Sequence, residues 1–368
     1  MSTAVRQTPP AAPETKGAAS PAAWRGRLLE GLLPPVVAIL AAMVVGDLLI
    51  LSFGQSPGSV YRLLLEGTWG NAYGFGQVLY KTTTLAFTGL AVALALRAGL
   101  FNIGAEGQLA AGGFMAALVG LLLPAGVPGV IAVPLCIVAA AAGGGVVGAV
   151  PGALKARFGA HEVIVTIMLN FIVLALLNWI IAAHLHVPET LHTPDIRAGG
   201  VARLNGMFTG SAANWVLLLA LATAGAVWFY LFRTRRGYEL RAVGLQPDAA
   251  EYAGVRVGGV WMRAMAVSGA LAGLGGVNFV LGYKHYYEDG FAGGAGFLGI
   301  AVALVGRNDP LGVVLAALFF ATLSQGGLAI NAVVPKQMVE VLQGVVILAV
   351  AIAVPEVRRL LRTRARRA

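Results

Sequence analysis

Asn102, Glu106 and Gln108 place two amides and one carboxylate within a single short stretch, Arg-Ala-Gly-Leu-Phe-Asn-Ile-Gly-Ala-Glu-Gly-Gln, that joins two long apolar runs. Gly99, Gly104 and Gly107 in the same stretch allow backbone conformations that strain other residues. Two readings stay open for it. Free backbone groups at such a break can contact a solute, as in discontinuous transporter helices. Alternatively, the stretch is a tight turn in which Glu106 caps the next helix by complementing its dipole. A second set, Glu162, Thr166 and Asn170, recurs every four residues and so shares one helical face. Polar side chains inside a membrane face the bundle interior or a cavity, so these three either line a pathway or bond helices together. Asn278 admits the same two readings. Asp47 is a conceivable proton-relay residue, or a solvated carboxylate near the outer interface.

Several chemistries are excluded. The single cysteine, Cys136, rules out an internal disulfide framework and a cysteine-based zinc cluster. His184, His186 and His192 have no carboxylates at ligand spacing, so no metal site is expected. No cluster of His, Asp and Glu stands at catalytic spacing. The phosphate-cradling loop of an ATPase needs Gly before its Lys and Ser or Thr after it, whereas only Lys81 is followed by such a residue and Tyr80 precedes it. The chain therefore binds no cofactor of its own, and any ATP-driven motion must come from another polypeptide.

The elements that carry these residues are membrane spans. Of 368 residues, 58% are hydrophobic and only 11% are charged, against about 25% charged in soluble proteins. A hydrocarbon core of about 30 Å takes roughly 20 helical residues to cross. Runs of that kind lie near 33–53, 78–97, 106–124, 129–151, 163–183, 214–232, 262–282, 295–306, 311–331 and 338–354. The expected fold is an all-α polytopic bundle of eight to ten spans. The third and eighth could be broken or re-entrant, which membranes tolerate only where protein or water covers the backbone. Gly144, Gly148 and Gly152, with Gly269 and Gly273, repeat every four residues and predict close helix packing.

The net charge of +10 falls in short segments between apolar runs, which marks membrane topology and not a nucleic-acid surface. With both termini in the cytoplasm, all of the 26 basic residues lie inside except Arg62, Lys81, Arg197, Arg203, Lys284 and Lys336. Residues 1–30 read as a flexible cytoplasmic tail, 31–355 as the membrane domain and 356–368 as a basic cytoplasmic tail. The outer loop 54–77 contains a short interfacial helix around Arg62 and Glu66. The segment 233–261 is the longest internal cytoplasmic connection. Within it, Pro247, Asp248 and Glu251 begin a short helix that Gly254 stops. Ala249, Ala250, Ala253 and Val255 give that helix a small apolar surface for a partner, unless it is a plain surface connector. The hexapeptides beginning at Gly89 and Gly299 echo one another, each leading to an arginine, Arg97 and Arg307, at equal spacing.

The stretch 89–108 resembles permease subunits of bacterial ABC importers in the branched-chain amino acid and ribose permease superfamily, most nearly the nucleoside branch served by basic-membrane-protein-type lipoproteins. Supporting stretches are Leu-Lys-Ala-Arg-Phe-Gly-Ala-His-Glu-Val-Ile at 154–164 with Met-Leu-Asn at 168–170, Leu-Arg-Ala-Val-Gly at 240–244 with 249–255, Ser268 to Leu274, and Gly296 to Asn308 with Pro-Leu-Gly at 310–312. They cover roughly residues 55 to 350. His161 stands where the family usually has Asn, and Leu245-Gln246 replaces Glu-Asn before Pro247. The resemblance implies a second, related permease chain, a separate ATPase and an external solute-binding lipoprotein. It also implies that 233–261 is the coupling segment, with Leu240, Gly244, Pro247, Ala249, Ala250 and Gly254 at the ATPase contact. The expected activity is inward passage of a nucleoside, most nearly a purine, along Asn102, Glu106, Gln108, Asn170 and Asn278. The alternatives are a simple sugar such as ribose or, in a different class, an ion-coupled secondary transporter whose acidic residues would be Asp47 and Glu106.

Overall fold

The computed structural model describes residues 40–349 except 42 and 336. The expected tails, part of the first span and the end of the last lie outside those residues. The described chain is helical, with isolated bridges and no strand among the described residues. The helices are α1 (Met43–Ser52), α2 (Pro57–Thr68), α3 (Ala72–Arg97), α4 (Ala105–Leu122), α5 (Gly129–Phe158), α6 (Glu162–Ile180), α7 (Val216–Arg233), α8 (Arg235–Leu245), α9 (Pro247–Tyr252), α10 (Val257–Phe279), α11 (Ala295–Val305), α12 (Pro310–Ala329) and α13 (Gln337–Ala349). Seven are long and apolar enough to cross a membrane, and α1, α11 and α13 are shorter apolar helices at the remaining expected spans. The chain is a polytopic helical membrane protein.

The core helices are α3, α4 and α10. The apolar window of α3 is 78% buried, whereas that of α5 is 22% buried and that of α6, with its widened last turn, 28%. The outer helices thus expose apolar side chains such as Val130, Phe171 and Trp179, as a surface facing lipid or a second subunit must. The expected small-residue packing joins α5 to α10. A Cβ at Gly144 would meet the carbonyl of Gly269, one at Gly148 the Cα of Gly269, and one at Gly273 the carbonyl of Ala140. The two helices run antiparallel with their backbones in contact, an approach that only small residues permit.

The echoed hexapeptides touch. A Cβ at Gly89 of α3 would meet Val302 of α11, and one at Gly299 of α11 would meet Thr88 of α3. At the same end, Arg97 Nε donates to the Asn308 carbonyl at 2.9 Å. Arg97 and Arg241 both lie over the Phe232 ring, at 5.6 and 5.2 Å, so basic residues distant in sequence gather at one end of the bundle.

Three expectations need adjusting. Helix α3 begins at Ala72 instead of 78, because Asn71 caps it by accepting from Gly74 N, so Lys81, counted among the outer basic residues, stands nine residues inside the helix. The first half of 233–261, expected to be loop, is α8, capped by Thr234 accepting from Gly237 N. Ala250 is 5% exposed and faces its own protein, while Ala249 and Ala253 are exposed and Val255 is half-buried, so the expected apolar docking face is incomplete. Helix α2 forms as expected. Its Tyr61 hydroxyl donates to Asp47 Oδ1 at 2.8 Å, which occupies the carboxylate considered as a proton relay. Burial, reinforced by that carboxylate, pushes the Tyr61 phenol up to about 12.

Candidate functional site

The stretch 98–104 is not helical, and Ala98, Leu100, Asn102 and Gly104 in it are buried. It leaves the basic end after Arg97 and enters the bundle, and α4 starts only at Ala105. Backbone groups in such a segment must find partners within the protein. Asn170 supplies two: its Oδ1 accepts from Gly107 N at 2.9 Å and its Nδ2 donates to the Ile103 carbonyl at 2.9 Å. Asn102 supplies another, accepting from Gly104 N at 3.0 Å. Its Nδ2 donates to Gln108 Oε1 and to Ser268 Oγ, each at 2.8 Å, and Ser268 donates to the Ala91 carbonyl at 2.6 Å. Asn102 and Gln108 have no exposed surface. This network fixes the turn. The stripe Glu162, Thr166 and Asn170 is buried against it, and Lys155 pairs with Glu162 at 2.7 Å.

Glu106 caps a helix, but one far away in sequence. Its Oε1 accepts from Gly294 N at 2.8 Å and its Oε2 from Gly296 N at 2.7 Å, both at the start of α11. Helix α11 is a half-length helix that begins inside the bundle, where Thr88 Oγ1 of α3 donates to the Ala295 carbonyl at 3.0 Å. A Cβ at Gly296 would run into the backbone nitrogen of Glu106, so the N-termini of α4 and α11 meet. Each N-terminus presents unpaired N–H groups and a partial positive charge. One carboxylate in the first turn of α4 serves both. Such an intramembrane carboxylate, buried to 6% exposure, is stable only with a partner of this kind.

Residues 290–294 form a strap leading into α11. Gly290, Gly293 and Gly294 have φ of 74°, 53° and 83°, a left-handed path that glycine alone follows without strain. A cavity lies on each side of it. One of about 280 Å³ is lined by Tyr80, Lys81, Thr84, Phe279, Phe291 and Ser324 among others. The other, of about 410 Å³, is lined by Glu106, Asn178, Tyr287, Asp289 and Phe291, and Asn178 Nδ2 donates to Asp289 at 3.2 Å. Phe291 borders both and packs on Phe279 at 4.7 Å and on Tyr287 at 5.2 Å.

Of the expected pathway residues, the structure brings Asn102, Gln108 and Asn170 together around the turn and puts Glu106 between that turn and the strap. Asn278 stands apart. Its Nδ2 donates to the Tyr80 carbonyl and to Thr84 Oγ1, each at 2.9 Å, and its Oδ1 accepts from Asn214. It therefore supports the wall of the smaller cavity from behind. Sequence reasoning missed Lys81, Phe291 and the strap, for which the run of glycines at 290, 293, 294 and 296 was the available signal. Of the expected coupling residues, Leu240 is 1% exposed and a Cβ at Gly244 would meet the carbonyl of Arg97. Pro247 opens α9, and Gly254 follows it with φ 83°. Two of the three histidines noted in the outer loop take aromatic partners, His192 stacking on Tyr286 at 4.3 Å and His184 meeting Trp179 edge-on at 5.7 Å. No group of metal-binding side chains occurs among the described residues.

Comparison with known proteins finds relatives along most of the chain. The chain is 40% identical over 328 residues to a guanosine ABC transporter permease protein of Bacillus subtilis, covering 88% of this chain and 94% of that one. It is 35% identical to a nucleoside ABC transporter permease protein of Lactococcus lactis, covering 87% and 91% of the two chains. It is 33% identical to a glucose ABC transporter permease protein of Haloferax volcanii, covering 85% of each. No solved structure matches significantly. Residues 74–351 match the model of the permease component of the branched-chain amino acid transport system, which takes in the turn, the strap and α8–α9 alike. The chain belongs to that family of multi-pass ABC transporter permeases of the inner membrane.

Proposed function

We propose that this chain is the membrane-spanning subunit of an importer that passes a nucleoside, most nearly a purine nucleoside, into the cytoplasm. A separate ATPase supplies the energy, an external solute-binding lipoprotein delivers the solute, and a second, related permease completes the membrane unit. The observation that carries the reading is the near full-length similarity to guanosine and nucleoside permeases, joined to a cavity whose aromatic and hydroxyl lining suits a neutral, flat, hydroxylated solute.

The force enters at the basic end. Helices α8 and α9 expose Leu245, Ala249 and Tyr252 there, with Leu245 84% and Tyr252 94% exposed. These exposed positions, and not Ala250, offer the ATPase its contact. Gly244 lies against the backbone of Arg97 and Gly99, which leads through Asn102 to Glu106 and the strap. A shift of α8 is thereby passed to the junction of α4 and α11. The polar set Asn102, Gln108 and Asn170 holds this junction at the edge of the solute path, Glu106 faces the path, and Asn278 braces its far wall.

The glucose permease relative favours a second reading, passage of a simple sugar. Uptake of labelled guanosine and of labelled ribose or glucose, by cells with and without this chain, separates the two. Loss of guanosine uptake alone supports the nucleoside reading, and loss of sugar uptake with guanosine uptake unchanged overturns it.

A further inference from the structure

We infer that the smaller cavity is the base-recognition subsite and that Lys81 makes it prefer 6-oxopurine nucleosides to 6-aminopurine ones, an inference resting on the nucleoside reading above. Lys81 stands nine residues into α3, roughly 13 Å along its axis, in a span otherwise apolar or uncharged until Arg97. A cationic side chain inside a spanning helix is costly, faces the bundle interior or a cavity, and points to a substrate path. Lys81 Nζ donates to Ser324 Oγ at 3.2 Å, bridging α3 and α12 at the cavity wall. Phe279 and Phe291 line the same cavity, their rings 4.7 Å apart and inclined by 31°. Aromatic faces hold nucleobases by stacking and do so for any base. A volume of about 280 Å³ lies just under the roughly 300–1000 Å³ of complete ligand sites and suits a subsite for the base.

Stacking alone does not discriminate, so selectivity falls to the polar groups. An ammonium offers only donors. A 6-oxopurine presents two adjacent acceptors, O6 and N7, along one edge, whereas a 6-aminopurine replaces O6 by a donor amine. The first edge complements Lys81 and the second opposes it. The strap brings Phe291 to the same space and is held by Glu106 through Gly294, so base recognition sits directly beside the junction of α4 and α11.

The test is competition against labelled guanosine uptake in cells expressing the complete transporter, with inosine and adenosine as the competitors. Wild type should be inhibited at roughly tenfold lower inosine than adenosine, as expected for one good donor-to-purine-edge contact. Lys81→Met should bring the two within about threefold, chiefly by weakening inosine, and Lys81→Arg should keep the preference. Equal competition in wild type overturns the inference, as does a Lys81→Met variant that weakens both competitors equally. If Lys81→Met does not reach the membrane, Lys81→Gln takes its place with the same expected loss of preference, against the same binding protein. Absence of any guanosine uptake by wild type is a different result, which sinks the nucleoside reading itself.

Discussion

The carboxylate of Glu106, in the first turn of α4, accepts the backbone N–H of Gly296, in the first turn of α11, at 2.7 Å. Together with the bond from Gly294 it ties the positive ends of α4 and the half-length α11, 190 residues apart. Glu106→Gln keeps the size but turns an NH2 group towards a backbone N–H. A buried donor left without an acceptor costs about 1–3 kcal/mol. Guanosine uptake should fall about tenfold or more, by the usual conversion of 1.4 kcal/mol to a factor of ten, while membrane abundance stays near normal. Unchanged uptake in this variant would show that the tie is dispensable.

Replacing Asn102 by Leu removes the partner of Gly104 N, Gln108 and Ser268 together. Each orphaned group costs about 1–3 kcal/mol, and the turn loses its fixed shape. We expect uptake to drop at least tenfold with the complex still assembled, as read by transport and co-purification in parallel. Normal transport would reduce the segment to a connector.

Much of this arrangement was legible before the structure, and the reasons for the rest are physical. The apolar runs were plain because hydropathy and length alone define a span. The glycine repeats of α5 and α10 pointed to close packing, though not to one another. Helix α8 was hidden because Arg235, Arg236 and Glu239 give it no apolar run, and its cap, Thr234, is one residue among many such threonines. The role of Glu106 was half visible. A carboxylate in a first helical turn signals a cap, but the helix it caps begins at Ala295, and no local pattern records that pairing. The first turns of α3 were hidden because Gly74, Gly76 and Gln77 dilute their apolar character, which put the expected start at 78.

Gly244 of α8 lies where a Cβ would meet the carbonyl of Arg97. Gly244→Val should force α8 away from the end of α3, at a cost of about 1–3 kcal/mol for overpacking. The expected outcome is an assembled complex whose ATPase turns over without driving uptake. ATP hydrolysis and transport measured on the same proteoliposomes check this, and tightly coupled transport would contradict it.

Burial, helped by the nearby Arg203 guanidinium, holds the His285 imidazole below its ordinary value of 6.5, with Asp195 opposing. The neutral ring is therefore favoured in the folded protein. Its contribution to stability is fully present above pH 6.5 and is lost as the pH falls through the depressed folded value. His285 also receives Ile196 N at its carbonyl, 2.7 Å away, so the outer loop is the part that loosens. Hydrogen exchange across residues 193–201, corrected for intrinsic rates, should quicken between pH 7 and pH 5. The His285→Gln variant should not show that change.

The most direct test of the central claim uses purified complex in proteoliposomes, with ATP supplied on the side of the ATPase and labelled guanosine on the other. The account predicts accumulation that requires ATP, the solute-binding protein and this chain, and that an ion gradient alone does not support. Gradient-driven guanosine accumulation by this chain reconstituted without any ATPase would contradict it.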